Sequence, residues 1–186
     1  EVKNAILELE KSNYDYSIQN DENDVLKDSL IKLQKRLKQL EQEEKQRNWI
    51  NEGLAQFVNI LRTDADNLQS LGGKIVSNLV KYTASNQGGI FVIDDKGENL
   101  EQVALYAYER DKFVKNSIPK GYSLLWQCVV EKTKIHLTEI PENYIRIGSG
   151  LGGERPKSLL LVPLIIEEKV YGVIELASFG KYEEFK

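Results

Sequence analysis

The sequence has one cysteine, one histidine and no methionine among its 186 residues. A single cysteine excludes an internal disulfide, and together with one histidine it leaves too few ligands for a structural zinc site. No apolar run approaches the roughly 20 residues of a membrane-spanning helix, and there is no signal peptide. With 25 basic and 29 acidic side chains and no basic block, nucleic acid is not expected as a partner. The missing methionine predicts that the sequence is a fragment of a longer protein.

Leucines repeat at heptad spacing in the first third of the sequence. They are Leu26, Leu30, Leu33, Leu37 and Leu40. So narrow an apolar stripe is typical of a helix that pairs with a second copy of itself. Glu44 and Arg47 take the next two seam positions, before apolar spacing resumes at Ile50. We predict a helix of about forty residues with a weakly packed polar stretch near its middle. The alternative is that this helix packs on its own domain.

The pattern after Arg62 is that of an α+β domain with a mainly antiparallel sheet. An amphipathic helix is predicted over 68–82, and a strand, turn and strand over 88–108. Ser123 is a plausible N-cap of a short helix. A hairpin over 158–178 is predicted to turn at Glu167–Glu168, and Pro163 within it favours an edge or a bulge.

Several of these stretches resemble a GAF domain over residues ~48–186. The carrying stretches are "NWINEGLAQFVNILR", "SNQGGIFVID", "VALYAYERDKF", "IPKGYSLLWQCVVEKTKIHLTEIP" and "LLLVPLIIEEKVYGVIELASF". Residues ~1–45 resemble the second half of a HAMP signalling module, whose second helix would begin at Asp21-Glu22. That family continues with an apolar residue and glycine, whereas Asn23 and Asp24 stand here.

The two resemblances divide the chain into three parts. Residues 1–20 are the end of a HAMP-like helix and a connector, 21–62 are a coiled-coil signalling helix, and 63–186 are the GAF domain, with 48–62 as its first helix. The resemblance implies the cytoplasmic portion of a bacterial inner-membrane sensor, attached to the membrane only through segments upstream. It also implies a parallel homodimer and a covalently attached downstream effector, such as a histidine kinase, phosphatase or cyclase, as in two-component systems.

The GAF resemblance also implies a ligand cavity, for which an unknown small molecule is possible and no cofactor is predicted. The candidates for its lining are Phe91, Tyr106, Tyr108, Trp126, Cys128, Tyr144, Ser149, Gly150, Arg155 and Glu175. Trp126 stands where the family often has glycine, so its indole either fills the cavity or lines it. Glu175 lies among apolar residues, so it needs a polar partner or an edge open to water.

No catalytic or metal site is expected. The four glycines between Gly148 and Gly153 lead into a strand and lack the lysine of a phosphate-binding loop, which favours a bend. Cys128 lies on an apolar helical face, and so is expected to be inert core rather than a nucleophile activated by His136. GAF proteins that reduce methionine sulfoxide use several cysteines, and the family's Cys-His bilin pair and cyclic-nucleotide signature are missing. The main prediction is therefore a non-catalytic signalling segment. The alternatives are a small-molecule sensor, a structural dimerisation spacer and a thiol redox enzyme.

Overall fold

The structure, a computed structural model, describes residues 2–18, 25–63, 67–106, 117–141, 144, 147–149 and 152–182. The chain divides into two compact units, Glu1–Ala55 and Gln56–Lys186. In the described ranges no helix is both long enough and apolar enough to cross a membrane.

The first unit contains helix α1 (Val2–Glu10) and most of helix α2 (Val25–Thr63). Residues 11–18, here called the N-terminal strap, lie along α2. The Gln34 side-chain amide donates hydrogen bonds to the backbone carbonyls of Tyr14 and Tyr16, at 2.9 and 2.6 Å. Lys38 forms an ion pair with Asp15 of the strap.

Helix α2 confirms the long helix predicted from the heptads, at 39 residues. It contains no proline, and Asp28 in its first turn and Arg62 in its last turn complement the helix dipole. Glu41 and Lys45 add an ion pair of 2.7 Å across one turn. In the second unit, the Phe57 ring near the end of α2 packs edge-on against Tyr82, with the ring centroids 6.3 Å apart.

The second unit is built on a six-stranded antiparallel sheet, as predicted. Its strands are β1 (Gln87–Ile93), β2 (Asn99–Tyr106), β3 (Ser117–Pro119), β4 (Ile135–Leu137), β7 (Ser158–Ile166) and β8 (Lys169–Ser178), in the spatial order β3-β2-β1-β8-β7-β4. Strands β5 (Ile147–Ser149) and β6 (Gly152–Glu154) form a separate two-stranded sheet.

Two helices cover the six-stranded sheet, one on each face. Helix α3 (Leu68–Tyr82) packs on β1 and β2, and helix α4 (Leu124–Glu131) packs on β7 and β8. Both begin at side-chain caps, where Asn67 accepts from the Ser70 amide at 3.0 Å and Ser123 accepts from the Trp126 amide at 3.2 Å. The N-cap predicted at Ser123 is thus confirmed.

The two helices define two core clusters. The α4-side core is formed by Phe91, Leu100, Leu125, Trp126, Cys128, Ile147, Leu159, Leu161, Val173 and Ala177. The α3-side core is formed by Val76, Val80, Ile90, Ala104, Leu160 and Leu176. Neighbouring residues such as Ile90 and Phe91 fall in different clusters because side chains alternate across a strand.

The β7–β8 hairpin turns where it was predicted to turn. Glu167 and Glu168 have φ angles of 48° and 66°, the left-handed pair that a two-residue hairpin turn needs. Pro163 lies in β7 beyond the stretch that β4 pairs, which is Leu159–Leu161, and a bulge follows at Leu164. A proline there removes no ladder hydrogen bond to β4, so its position fits the predicted edge or bulge.

Candidate functional site

A buried carboxylate lies within the α4-side core. Glu175 is in β8 between Val173 and Ala177 and is only 5 % exposed. Its partner is Tyr144, whose hydroxyl donates a hydrogen bond to the Glu175 carboxylate. Burial raises the pKa of the Tyr144 hydroxyl well above its usual value, and the negative charge of Glu175 and the hydrogen bond to it add to this. The requirement that Glu175 find a polar partner is therefore met inside the protein.

Cys128 lies in the same core and is fully buried. Its thiol donates to the Thr133 backbone carbonyl at 3.4 Å. Burial raises the pKa of the Cys128 thiol to about 11, and the charge of Glu131 contributes. Because the thiolate is the reactive form, this environment suppresses nucleophilic and redox chemistry at neutral pH.

His136 is on the opposite face of the sheet from Cys128. It pairs with Leu160 of the α3-side core, whereas its neighbours Ile135 and Leu137 pack on the α4-side core. Its Nε2 atom is 3.5 Å from the Ser158 hydroxyl. The structure therefore does not bring the cysteine and the histidine together as a catalytic pair.

Trp126 fills the α4-side core. It is 3 % exposed, and its indole nitrogen donates to the Ile118 carbonyl at 3.1 Å. The Lys120 ammonium lies 5.9 Å from the centre of its ring, within cation–π range. Both sequence-based alternatives describe part of its position, because Trp126 is buried in this core and also lines the groove beside α4.

That groove has a volume of about 850 Å³. Its walls are mainly apolar and aromatic, with Lys120 and Glu131 as charged residues. The lining residues are Lys120, Gly121, Tyr122, Ser123, Leu124, Trp126, Gln127, Val130, Glu131, Pro141 and Tyr144. Tyr144 therefore belongs both to the groove wall and to the buried pair with Glu175.

Five of the predicted cavity residues come together in the α4-side core or against it. They are Phe91, Trp126, Cys128, Tyr144 and Glu175. Tyr106 is not with them, because it packs on the α3-side core across the sheet. Ser149 lies in β5, and Arg155 is exposed just after β6. Tyr108 and Gly150 lie outside the described residues.

The glycine-rich stretch forms part of a small hairpin. Gly148 pairs with Gly153 and Ser149 pairs with Gly152. Strand β7 follows it, so no helix N terminus is available there to bind a phosphate. In the described part of this stretch, the geometry fits the predicted bend.

The leucines of the heptad seam differ in exposure. Leu26, Leu33 and Leu40 are 57, 48 and 44 % exposed. Leu30 is buried and Leu37 is half-buried, so their side of α2 is covered within the chain. Glu44 and Arg47, farther along the seam, are both exposed.

Comparison with known families decides the relationship. Residues 65–185 match the family described as GAF domain, and this is well over half of the chain. The chain belongs to the GAF family. GAF domains are regulatory and ligand-binding sensor domains, and most are not enzymes. No curated protein matches this sequence.

Solved structures support the GAF fold at low sequence identity. The GAF domain of an Acinetobacter phosphoenolpyruvate-protein phosphotransferase is 16 % identical, with a TM-score of 0.57, over 72 % of this chain and 82 % of that one. Free methionine-R-sulfoxide reductase from Neisseria meningitidis, in complex with its substrate, is 16 % identical, with a TM-score of 0.58, over 76 and 80 %. The A. aeolicus nlh2 GAF domain in an inactive state is 18 % identical, with a TM-score of 0.52, over 73 and 80 %.

Within the described part of this GAF protein, no three His, Cys, Asp or Glu side chains are grouped so as to hold a metal ion. Sequence reasoning missed two contacts that shape the site, Lys120 over Trp126 and the Thr133 carbonyl that accepts from Cys128. Lys120 precedes the helix that carries Trp126 by a few residues, a spacing that offered a weak signal. The carbonyl contact had no signal, because a backbone acceptor is independent of residue type.

Proposed function

We propose that this chain is a non-catalytic sensory and regulatory segment of a bacterial signal-transduction protein. It relays a conformational change through a parallel dimeric coiled coil to an effector joined downstream. The observation that supports this most is the open leucine row of α2, formed by Leu26, Leu33 and Leu40. Leu54, at the same heptad position two heptads beyond Leu40, is 63 % exposed.

Burial of this row by a second copy is favourable because it removes apolar surface from water. Residues seven apart stay on one face of a supercoiled helix, so an identical row on a partner can pack against it along its length. The strap covers the Leu30 side of α2, whereas the row is exposed to solvent. A leucine row of this length left in water is unusual for a monomer.

The remaining parts of the proposal rest on the resemblance to sensor proteins. We place this segment on the cytoplasmic side of the inner membrane, behind HAMP-like and membrane segments upstream. The effector is a kinase, phosphatase or cyclase. Glu44 and Arg47 make the middle of the seam less stable than leucines would, and two helix arrangements of similar free energy can therefore exchange under a small bias.

Cysteine crosslinking tests the dimer. In a Cys128→Ser background, Leu40→Cys places one thiol on the row, and Lys35→Cys places one on the opposite face of α2. Oxidation should link the Leu40→Cys chains, because equivalent row positions meet in a parallel in-register pair. Lys35→Cys should stay unlinked. Single chains in sedimentation at high concentration, with no Leu40→Cys product, would overturn the proposal.

A second candidate function, small-molecule sensing, is favoured by the Tyr144–Glu175 pair. Tyr144 lines a groove of about 850 Å³ and donates a hydrogen bond to the buried Glu175 carboxylate. A ligand in the groove could therefore bind its apolar wall and compete with Tyr144 for the carboxylate. Native mass spectrometry of protein purified from its own host should then show a bound compound that is lost on Glu175→Gln substitution. A purely structural spacer would instead signal normally with altered pocket residues.

An enzymatic role has less support from the residues. The free methionine-R-sulfoxide reductase from Neisseria meningitidis is among the similar structures. A thiol reductase that forms an intramolecular disulfide needs a second cysteine, whereas this sequence has Cys128 alone. That thiol is also buried, and its pKa is raised to about 11.

A further inference from the structure

Two opposite charges lie in the open part of the α2 seam. Glu44 and Arg47 are exposed, and in the part of the chain that the structure describes neither side chain makes a hydrogen bond or an ion pair. They are three residues apart on one helix, yet they do not pair with each other. Nearby polar side chains do pair, with Glu41 binding Lys45 at 2.7 Å and Gln39 donating to Glu43 at 2.7 Å. Both charges are therefore available to a partner.

The strap makes this position different from the rest of the seam. Its contacts reach Gln34 and Lys38, and the seam leucines on that side, Leu30 and Leu37, are covered. At Glu44 the same side of the helix is open again, and so is Arg47. A second helix can therefore reach both seam positions of α2 at this level.

We propose that Glu44 of each copy pairs with Arg47 of the other across a parallel, in-register homodimer, and that these two symmetric ion pairs set its register. The inference rests on the dimer proposed above. Residues three apart differ by about 4.5 Å along a helix axis, which is within the reach of two long side chains. In knobs-into-holes packing, each seam residue lies beside its own counterpart and also contacts the partner's next seam residue. The two-fold axis therefore creates both Glu44–Arg47 pairs at once, and they offset the repulsion between the equivalent charges.

Glu44 and Arg47 would then determine the specificity of pairing as well as its register. A shift of one heptad would place Glu44 beside Leu37 or Asn51 of the other copy and leave it without an opposite charge. A helix with leucines at both positions would pair more tightly and less selectively. The seam favours a second copy of this chain because the copy carries the complementary charge at the matching position.

Charge reversal tests the pairing. Glu44→Arg and Arg47→Glu should each weaken the homodimer by about tenfold in dissociation constant, because like charges then meet across the interface. An equimolar mixture of the two variants should form heterodimers in excess of the statistical half. The double variant Glu44→Arg/Arg47→Glu should return to the wild-type constant. Native mass spectrometry of mixed chains reports all three, and circular dichroism confirms that each variant is folded.

The control is Lys35→Glu, a charge reversal on the opposite face of α2, which should leave dimerisation unchanged. The charge pairing would be overturned if the reversal variants dimerised with wild-type affinity and mixed at random. If Leu40→Cys still crosslinked in that case, the dimer itself would remain supported. Absence of the Leu40→Cys crosslink would overturn the dimer itself. Replacing Glu44 and Arg47 together with leucine should tighten the dimer, because leucines at both seam positions pack across the interface.

Discussion

Replacing Tyr144 with phenylalanine removes the hydroxyl that reaches the Glu175 carboxylate and changes little else. The ring still packs on the α4-side core, and Glu175 stays only 5 % exposed. A hydrogen bond to a charged group is worth about 1.5–3 kcal/mol, and loss of one partner leaves the other poorly solvated. We expect Tyr144→Phe to lower the free energy of unfolding by about 2–3 kcal/mol.

Removal of both polar groups should cost less than the two single changes together. Glu175→Leu alone leaves the Tyr144 hydroxyl buried without its acceptor, at about 1–3 kcal/mol. Tyr144→Phe/Glu175→Leu leaves neither group stranded, and apolar replacement of a buried polar pair is often close to neutral. The double-mutant cycle should therefore show a coupling free energy of about 1.5–3 kcal/mol between the two residues.

Urea unfolding followed by circular dichroism and tryptophan fluorescence measures the cycle. Tyr106→Phe is the matched control, because Tyr106 is half-buried on the other core and its change should stay within about 0.5 kcal/mol. Additive single changes, or a Tyr144→Phe protein as stable as the control, would refute the reasoning.

The same contact predicts the direction of a pH effect. Burial raises the pKa of Tyr144 above its usual 10.0, so the folded protein keeps a proton that the unfolded chain loses near that pH. This contribution is complete below pH 10 and falls as the pH rises further. Tyr144→Phe should therefore be less sensitive to alkali than the wild type, as measured by urea midpoints on either side of pH 10.

Three further predictions concern single positions. At pH 8, Cys128 should react with iodoacetamide at least about 100-fold more slowly than an ordinary thiol, because its pKa is raised from 9.0 to about 11; equal rates in native and urea-unfolded protein would contradict this. Glu168→Gly should have a free energy of unfolding about 1 kcal/mol higher than that of Glu168→Gln, because glycine adopts a φ of 66° without strain. Equal melting temperatures of the two variants would argue against strain at this turn. Gly172→Ala should destabilise the protein by about 3 kcal/mol, because the new Cβ lies 2.3 Å from the Phe91 carbonyl oxygen, whereas Gly180→Ala, with its nearest atom at 3.5 Å, should be neutral in the same thermal melts.

Short sequence patterns predicted the elements that depend on interactions between residues close together in the sequence. The heptad leucines predicted α2, Ser123 predicted the start of α4, and the acidic pair predicted the β7–β8 turn. Strands β3, β5 and β6 were missed, because each has only three residues. No pattern of three residues carries enough periodicity to reveal a strand.

The candidate cavity was predicted less well, for a reason that lies in the register of the sheet. Phe91 and Tyr106 were expected to share a cavity, yet they lie on opposite faces of it. A bulge between Ile90 and Phe91 changes which residues of β2 lie beside those of β1. The bulge also breaks the alternation within β2, because Leu100 lies in the α4-side core and Ala104 in the α3-side core. A sequence pattern does not reveal where a bulge falls, so this separation was visible only in the fold.

Ligand entry and helix pairing differ in the free energy that each must spend to break existing contacts. A ligand that takes over the α4-side core must break the Tyr144–Glu175 hydrogen bond, worth about 1.5–3 kcal/mol, and move a tryptophan that is 3 % exposed. In the proposed dimer, a second copy covers Leu26, Leu33 and Leu40, whose side chains are 44–57 % exposed. A small change in free energy is therefore enough to alter helix pairing, whereas ligand entry needs contacts that replace what it breaks. We therefore propose helix pairing as the more readily biased input, and the groove as a second one only for a compound that supplies its own donor to Glu175.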